Sequence, residues 1–553
     1  MTARTPGSPP GHKLSLAAAR MGAATAISRV IGFGRILVVA AVLGTTDLGN
    51  TFSASNSVSN VVFDLLAAGA LSAVLVPGFV ELLDRPGARG SPPGDQGRDP
   101  AERLAGALLG WSLLALAPIT LAGVLVAPGI ARLLTAGTPD PVVAGDQREL
   151  ATFLLRIFLP QLLLYAYGAV ATAVLHAQRR FAVTAAAPIG ATVVMVAALL
   201  AFRALHGPGP PGLDLGLAER LALGATGTLG VAAFVGVPAV ALRATGFRLW
   251  PRLSGPAGVP GLGRTVRLSG WAGLQHAGTG ILLGAALLVG MGVSGGVVAY
   301  QVALASFLVP YAVVALPIIT AVLPQLAGEA SRGDLAAFGR SLRWALDGMV
   351  GLVVPVSVAG IVFGPRVMEA LAFGQTSGAG GRLIGAALGA LALGLLPYGA
   401  FLLFVRAHYA LGEGRAPAFA ALASAVLGAA LMALAALSGT SGETRLAAMG
   451  GAHSVAQLAG ALVLGGVLSR RTAQRLVPSR LGRSVAVAGV LGVVAAVVLD
   501  AVDPAGRVAT LATVAALASA GGGIYAVLVR PGVTGGPRPA LAPVHDPGGD
   551  AER

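Results

Sequence analysis

Apolar residues in this chain come in runs of about twenty, separated by short polar or basic stretches. A helix rising about 1.5 Å per residue needs about 20 such residues to cross a ~30 Å hydrocarbon layer, so the pattern predicts membrane-spanning helices. The runs fall at 24–43, 57–83, 104–131, 151–175, 181–202, 221–242, 268–290, 297–328, 344–363, 383–405, 416–438, 446–468, 484–502 and 508–529. That is about fourteen helices, an even number that puts both termini on one side. The stretches 84–100 and 531–553 are rich in Pro, Gly and charge and read as flexible segments too short to fold alone.

Charge tests the count, because a missed or invented helix would scramble the alternation of basic loops. With the N-terminus inside, 27 of the 38 Lys and Arg residues fall in cytoplasmic segments, among them Arg85, Arg89, Arg243, Arg248, Arg470 and Arg471. Eight fall outside, and Arg29, Arg35 and Arg156 fall within spans. Composition agrees: 55% hydrophobic and 11% charged residues, with a mean hydropathy of +0.80, describe an integral membrane protein. The net charge of +15 is spread between the spans, so topology explains it better than nucleic acid does. Without cysteine there are no disulfides, thiolate metal sites or cysteine nucleophiles. The single lysine, Lys13, precludes a phosphate-binding loop with its lysine, and with it an ATP-driven pump on this chain. Residues 1–20 lack the separate apolar core and cleavage site of a secretory signal, so the first helix is expected to be retained.

Similar endings of the second helix (Ser72-Ala73-Val74-Leu75-Val76-Pro77) and the eighth (Thr320-Ala321-Val322-Leu323-Pro324) suggest an internal duplication, although small apolar residues match easily by chance in so Ala-rich a chain. The fold class expected is an all-α integral membrane protein with two pseudo-repeated six-helix lobes, two C-terminal helices and a V-shaped transporter architecture. Its expected divisions are a cytoplasmic N-terminus at 1–19, an N-lobe at 20–243, a linker at 244–263, a C-lobe at 264–469, the last two helices at 470–530 and a tail at 531–553.

Two arginines inside the first run carry the chemical interest. Each would cost about 3 kcal/mol at the bilayer centre unless it met an anion or water, and arginine cannot escape by deprotonation. Arg29 lies near the cytoplasmic end and has snorkelling as its alternative; Arg35, about 9 Å further along, is harder to explain that way. Six helical steps set the two about 120° apart on a straight helix, and Gly32 and Gly34 would allow a bend that relaxes this. Asp64 is the one carboxylate well inside the first bundle, either a site for H⁺ or Na⁺ that couples a gradient to motion or the partner of an arginine. Arg156 is a further candidate for an anionic ligand, with interfacial anchoring as its alternative. Gln275, His276, Thr279, Gln301 and Ser306 suit hydrogen bonds between helices, with a cavity wall as the second reading. His276 and His453 form no metal or catalytic constellation. The spacing of Gly381, Gly385 and Gly389 signals close packing against a neighbouring helix.

Read together, these residues resemble the MurJ/MviN family, bacterial flippases of the peptidoglycan precursor lipid II within the multidrug/oligosaccharidyl-lipid/polysaccharide exporter superfamily. The likeness spans most of the chain. It rests on Ser28-Arg29-Val30-Ile31-Gly32-Phe33-Gly34-Arg35, Asn60, Ala67-Ala68-Gly69-Ala70-Leu71-Ser72, Val76-Pro77, Leu155-Arg156-Ile157, Arg180-Phe181, Ala187-Pro188, Pro310 and Thr320-Ala321-Val322-Leu323-Pro324. The resemblance implies a non-enzymatic flippase of the bacterial cytoplasmic membrane with both termini cytoplasmic. Arg29, Arg35, Arg156 and Asn60 would bind lipid II or a similar undecaprenyl-diphosphate glycolipid. No cofactor is implied beyond a coupling ion (H⁺ or Na⁺) or the membrane potential, and the partners implied are membrane lipids and cell-wall synthesis proteins, not nucleic acid. Several family charges are absent: Ile36, Asn50, Phe63, Asp64, Ala68 and Ala305 stand where the family carries acidic or basic residues of other kinds. Export of another lipid-linked glycan or of drugs by ion antiport, and a non-transporting scaffold for cell-wall synthesis, are the alternatives.

Overall fold

The computed structural model describes residues 31–32, 34–63, 98–178, 180–207, 211–253, 262–372, 374–376, 378–440 and 442–529. Arg29, Asp64, Ala68 and both terminal segments lie outside them. Every regular element among the described residues is helical. The helices pack mostly within two groups, called lobes below, and the first comprises α1 (Gly34–Leu43), α2 (Asp47–Phe63), α3 (Arg98–Leu134), α4 (Pro141–Phe158), α5 (Gln161–Ala177), α6 (Phe181–His206) and α7 (Leu217–Ala244). The second comprises α8 (Leu262–Gly290), α9 (Gly296–Pro310), α10 (Leu316–Ser331), α11 (Leu335–Leu371), α12 (Ala379–Ala392), α13 (Leu395–Ala410), α14 (Arg415–Leu437) and α15 (Gly442–Thr472). Two further helices follow, α16 (Leu481–Val502) and α17 (Arg507–Val529).

Among the described residues eleven helical stretches are long and apolar enough to cross a membrane, or twelve if α12 and α13, bent by 52° at their junction, form one span. The expected fourteen is therefore not confirmed. The first two expected spans are described only from Ile31 and only as far as Phe63. Other boundaries differ for local reasons. The fourth span begins not at residue 151 but at Pro141, where proline occupies the first helical turn and the Asp140 carboxylate accepts from the Val142 and Val143 amides at 2.8 and 3.3 Å. It is interrupted at Leu159 and Pro160, since proline brings no amide to continue the ladder. The eighth span widens at Tyr311–Ala315 into a π-helical turn just after Pro310.

In the first lobe α6 packs along α7; in the second α14 packs along α8. The α12 glycines are where α11 comes close: a Cβ on Gly381 would lie 2.9 Å from Glu369 Cα, and one on Gly385 2.6 Å from Pro365 Cα. This is the close packing that their spacing predicts. α16 and α17 lean on α11, with Ala488 and Tyr525 buried against Val350 and Val354.

At one end the lobes are joined. Asn50 on α2 donates from Nδ2 to the Val293 carbonyl at 2.7 Å and accepts at Oδ1 from the Val297 amide at 2.9 Å, which satisfies one of the orphan donors at the start of α9. Gln301 Nε2 donates to Ser57 Oγ at 2.9 Å. Apolar packing runs through the same junction, where Ala54 and Ala127 meet Leu287, Met291 and Val297. Gly295 permits the approach: its φ of +73° suits glycine, and an added Cβ would strike the Thr45 backbone.

Candidate functional site

The first cavity of interest borders α2, a helix whose sequence is unusually polar for a span. Within Ser53-Ala54-Ser55-Asn56-Ser57-Val58-Ser59-Asn60, the serines at 53, 55, 57 and 59 are buried while Asn56 and Asn60 are half-buried. Asn56 and Asn60 are one helical turn apart, so both amides face the same side. That side is a cavity of about 380 Å³ lined by Arg35 from α1, Asn56, Asn60 and Phe63 from α2, Tyr165 from α5, and small or apolar residues of α6 and α7 such as Ala191 and Gly227. The Tyr165 hydroxyl donates to Asn60 Oδ1 at 2.7 Å, and its ring lies 5.0 Å from that of Phe63.

Arg35 also lines an adjoining cavity of about 340 Å³, together with Gly32, Pro188, Thr192, Phe234 and, from the opposite lobe, Ala305, Leu308 and Val309. Arg35, Ala191 and Phe234 line both cavities, so these three side chains stand between two adjoining spaces. Among the described residues no carboxylate pairs with Arg35. A half-buried cation with aromatic and amide neighbours can take up an anion there, because its planar fork matches phosphate oxygens two at a time.

Of the site residues expected from sequence, the structure brings Arg35 and Asn60 together. It does not bring Arg156 to them: that side chain is exposed near the C-terminal end of α4 and lines neither cavity. Arg29 and Asp64 lie outside the described residues. Gly32 borders the chamber, and neither it nor Gly34 has an atom within 4 Å of an added Cβ among the described residues. Phe63 borders the first cavity and Ala305 the second. Asn56 and Tyr165 went unrecognised in the sequence. The recurrence of asparagine at a four-residue interval was a signal for the first; nothing local marked the second.

Elsewhere the polar residues of the second lobe divide. Gln275 accepts from Tyr409 at 2.7 Å and Gln301 reaches Ser57, both between helices as expected. Ser306 bonds back to the Val302 carbonyl of its own helix and also reaches Met368 Sδ on α11 at 3.9 Å, whereas His276 is exposed. A third space, about 300 Å³ and almost wholly apolar, lies between α11, α16 and α17, lined by Val358, Val362, Leu491, Gly492 and Leu517.

Two helical lobes closed together at one end around a cationic chamber, in a chain crossing the membrane many times, define a membrane transporter rather than an enzyme. The chain belongs to the family described as lipid II flippase MurJ, which matches residues 39–516. Among its relatives is the probable lipid II flippase MurJ of Rhizobium tropici, 26% identical over 475 residues that cover 84% of this chain and 85% of that protein. In three dimensions the chain resembles a lipid II flippase MurJ in an inward closed conformation, with a TM-score of 0.69 and 15% identity over 92% of this chain and 99% of the other. It also resembles an inward-facing multidrug resistance MATE family transporter of the MOP superfamily, with a TM-score of 0.61 and 14% identity over 81% and 98% of the two chains. At such identities these structures speak to the fold alone.

Proposed function

We propose that this protein carries lipid II, the lipid-linked diphosphate precursor of peptidoglycan, from the inner to the outer leaflet of a bacterial cytoplasmic membrane by alternating access. The observation that carries the reading is Arg35, a cation in the wall of a chamber between two lobes with no carboxylate beside it among the described residues. A diphosphate needs such a charge out of bulk water, where a charge-assisted hydrogen bond contributes about 1.5 to 3 kcal/mol. Asn60, Asn56 and Tyr165 supply neutral donors and acceptors for the sugar head. The polyprenyl tail stays in lipid or in the apolar space beside α16 and α17. Arg156, exposed on α4, acts as an anchor at the membrane surface.

The distribution of basic loops puts the joined end outside, so the conformation described here is closed outward. Transport then requires the Asn50 and Gln301 contacts to break and the opposite end to close. An ion gradient or the membrane potential supplies the drive, and no bond in the lipid is made or broken. Leaflet-resolved labelling of lipid II in cells depleted of the protein tests the proposal. Wild-type chain should restore outer-leaflet lipid II, and Arg35→Ala at equal expression should not. Full restoration by Arg35→Ala would remove the electrostatic basis of the reading.

A further inference from the structure

The second lobe encloses a chamber of its own, about 170 Å³, between α8, α9, α13, α14 and α15. Its polar lining includes Gln275, Thr279, Tyr300, Ser424, His453 and Gln457, and its remaining walls are largely aromatic and aliphatic. His453 is 8% exposed and Tyr300 2%. The Tyr300 hydroxyl lies 2.9 Å from His453 Nδ1, and Gln457 Nε2 lies 3.4 Å from His453 Nε2. The Phe307 ring stands edge-on to the imidazole at 6.2 Å. Both neighbours of the imidazole can reverse their roles: a hydroxyl rotates to accept, and an amide turns its oxygen to a ring N–H. The cluster therefore has partners for the neutral ring and for the imidazolium.

The titratable groups facing this chamber are few. α9 contributes Tyr300, α13 contributes Tyr398, α8 and α14 contribute only the neutral Gln275, Thr279 and Ser424, and α15 carries His453 with the neutral Gln457. No Asp, Glu, Lys or Arg is among the described residues that line it. His453 is the one imidazole among the described residues that line it, and with no acid beside it the charged ring is favoured only where the space admits water.

Its position gives such a change a mechanical consequence. Leu308 lines both this chamber and the cavity that holds Arg35. Tyr300 directly precedes Gln301, which grips Ser57, and lies within a turn of Val297, which donates to Asn50. A rearranged bond between Tyr300 and His453 thus acts on the same turn of α9 that ties the lobes together. We propose that His453 is a proton-binding site of the second lobe whose occupancy, transmitted through Tyr300 and α9, sets whether the joined end is closed or open. This rests on the reading of the chain as an alternating-access transporter but not on its cargo.

The test therefore contains no lipid II. The chain has no cysteine, so Val298→Cys, at a buried α9 position packed near Gly49, reports opening of the junction through labelling by a membrane-impermeant maleimide. Val508→Cys, at an 83% exposed position, corrects for the pH dependence of the thiol reaction itself. In the otherwise native full-length chain, corrected labelling at Val298→Cys should rise at least about threefold on acidification across the imidazole range, from about pH 8 to about 5.5. Adding His453→Gln should flatten that response, and adding Tyr300→Phe, which keeps the ring and its packing, should shift the midpoint. A flat response in the otherwise native chain, a response that survives His453→Gln, or a midpoint unmoved by Tyr300→Phe would each overturn the proposal. Loss of lipid II flipping in Arg35→Ala, with the pH response intact, would instead bear on the cargo alone.

Discussion

The two walls of the central chamber are unlike. The first lobe presents Arg35 there and, in the adjoining cavity, Asn56, Asn60 and Tyr165, whereas the second presents Ala305, Leu308 and Val309. The second lobe does not lack polar groups; it holds Tyr300, His453 and Gln457 in its own interior, one helix layer away. On the proposed reading, one lobe recognises the anionic head and the other offers a smooth apolar face. A ligand held from one side can be released when that side moves, without a second charge to restrain it.

The largest effect expected is at the charged wall. Arg35→Ala removes a fork worth about 3 kcal/mol and should lower lipid II flipping roughly 100-fold, with Arg35→Lys retaining part of it, as read by leaflet-resolved labelling. Equal activity of the alanine variant and wild type would erase the contrast between the walls. Next in size is the junction. Asn50→Ala strands the Val297 amide and Val293 carbonyl, at about 1 to 3 kcal/mol for each buried group, and should raise maleimide labelling at Val298→Cys about tenfold or more. Unchanged labelling would show that apolar packing alone holds the lobes together.

A smaller effect sharpens the asymmetry itself. Placing a charge on the apolar wall with Ala305→Arg in the Arg35→Ala background should recover flipping by about fivefold, because the phosphate can be met from either side of a shared chamber. No recovery would mean that the position of the guanidinium matters as much as its charge. Smallest of all is Arg156→Ala, expected to change flipping by less than about twofold, as for an exposed side chain away from the chamber. A loss as severe as that of Arg35→Ala would bring Arg156 into the binding site despite its exposure.

How far the sequence could be read varied with the kind of signal. The spans were legible because a helix apolar over twenty residues is kept from water most simply by crossing a bilayer. The Gly381, Gly385 and Gly389 stripe announced its neighbour because only a missing Cβ lets two backbones meet. Arg35 was legible because a charge in an apolar run is expensive. Tyr165 was not: a lone tyrosine in an apolar helix looks like packing until Asn60 is found 105 residues away in sequence and 2.7 Å away in space. Asn50 was noticed only as a departure from a family pattern, and the break at Pro160 was hidden inside a continuous apolar run.

From the chain alone came its membrane-embedded character, the approximate succession of helices, the family resemblance and the demand that buried arginine find an anion or water. Those follow from local periodicity and from the transfer energies of single residues, which do not depend on what lies far along the chain. Which face of α2 meets the chamber, which lobe supplies its charge, and how Asn50 joins α9 were decided only when distant helices packed, because each is a relation between residues that one-dimensional spacing leaves free.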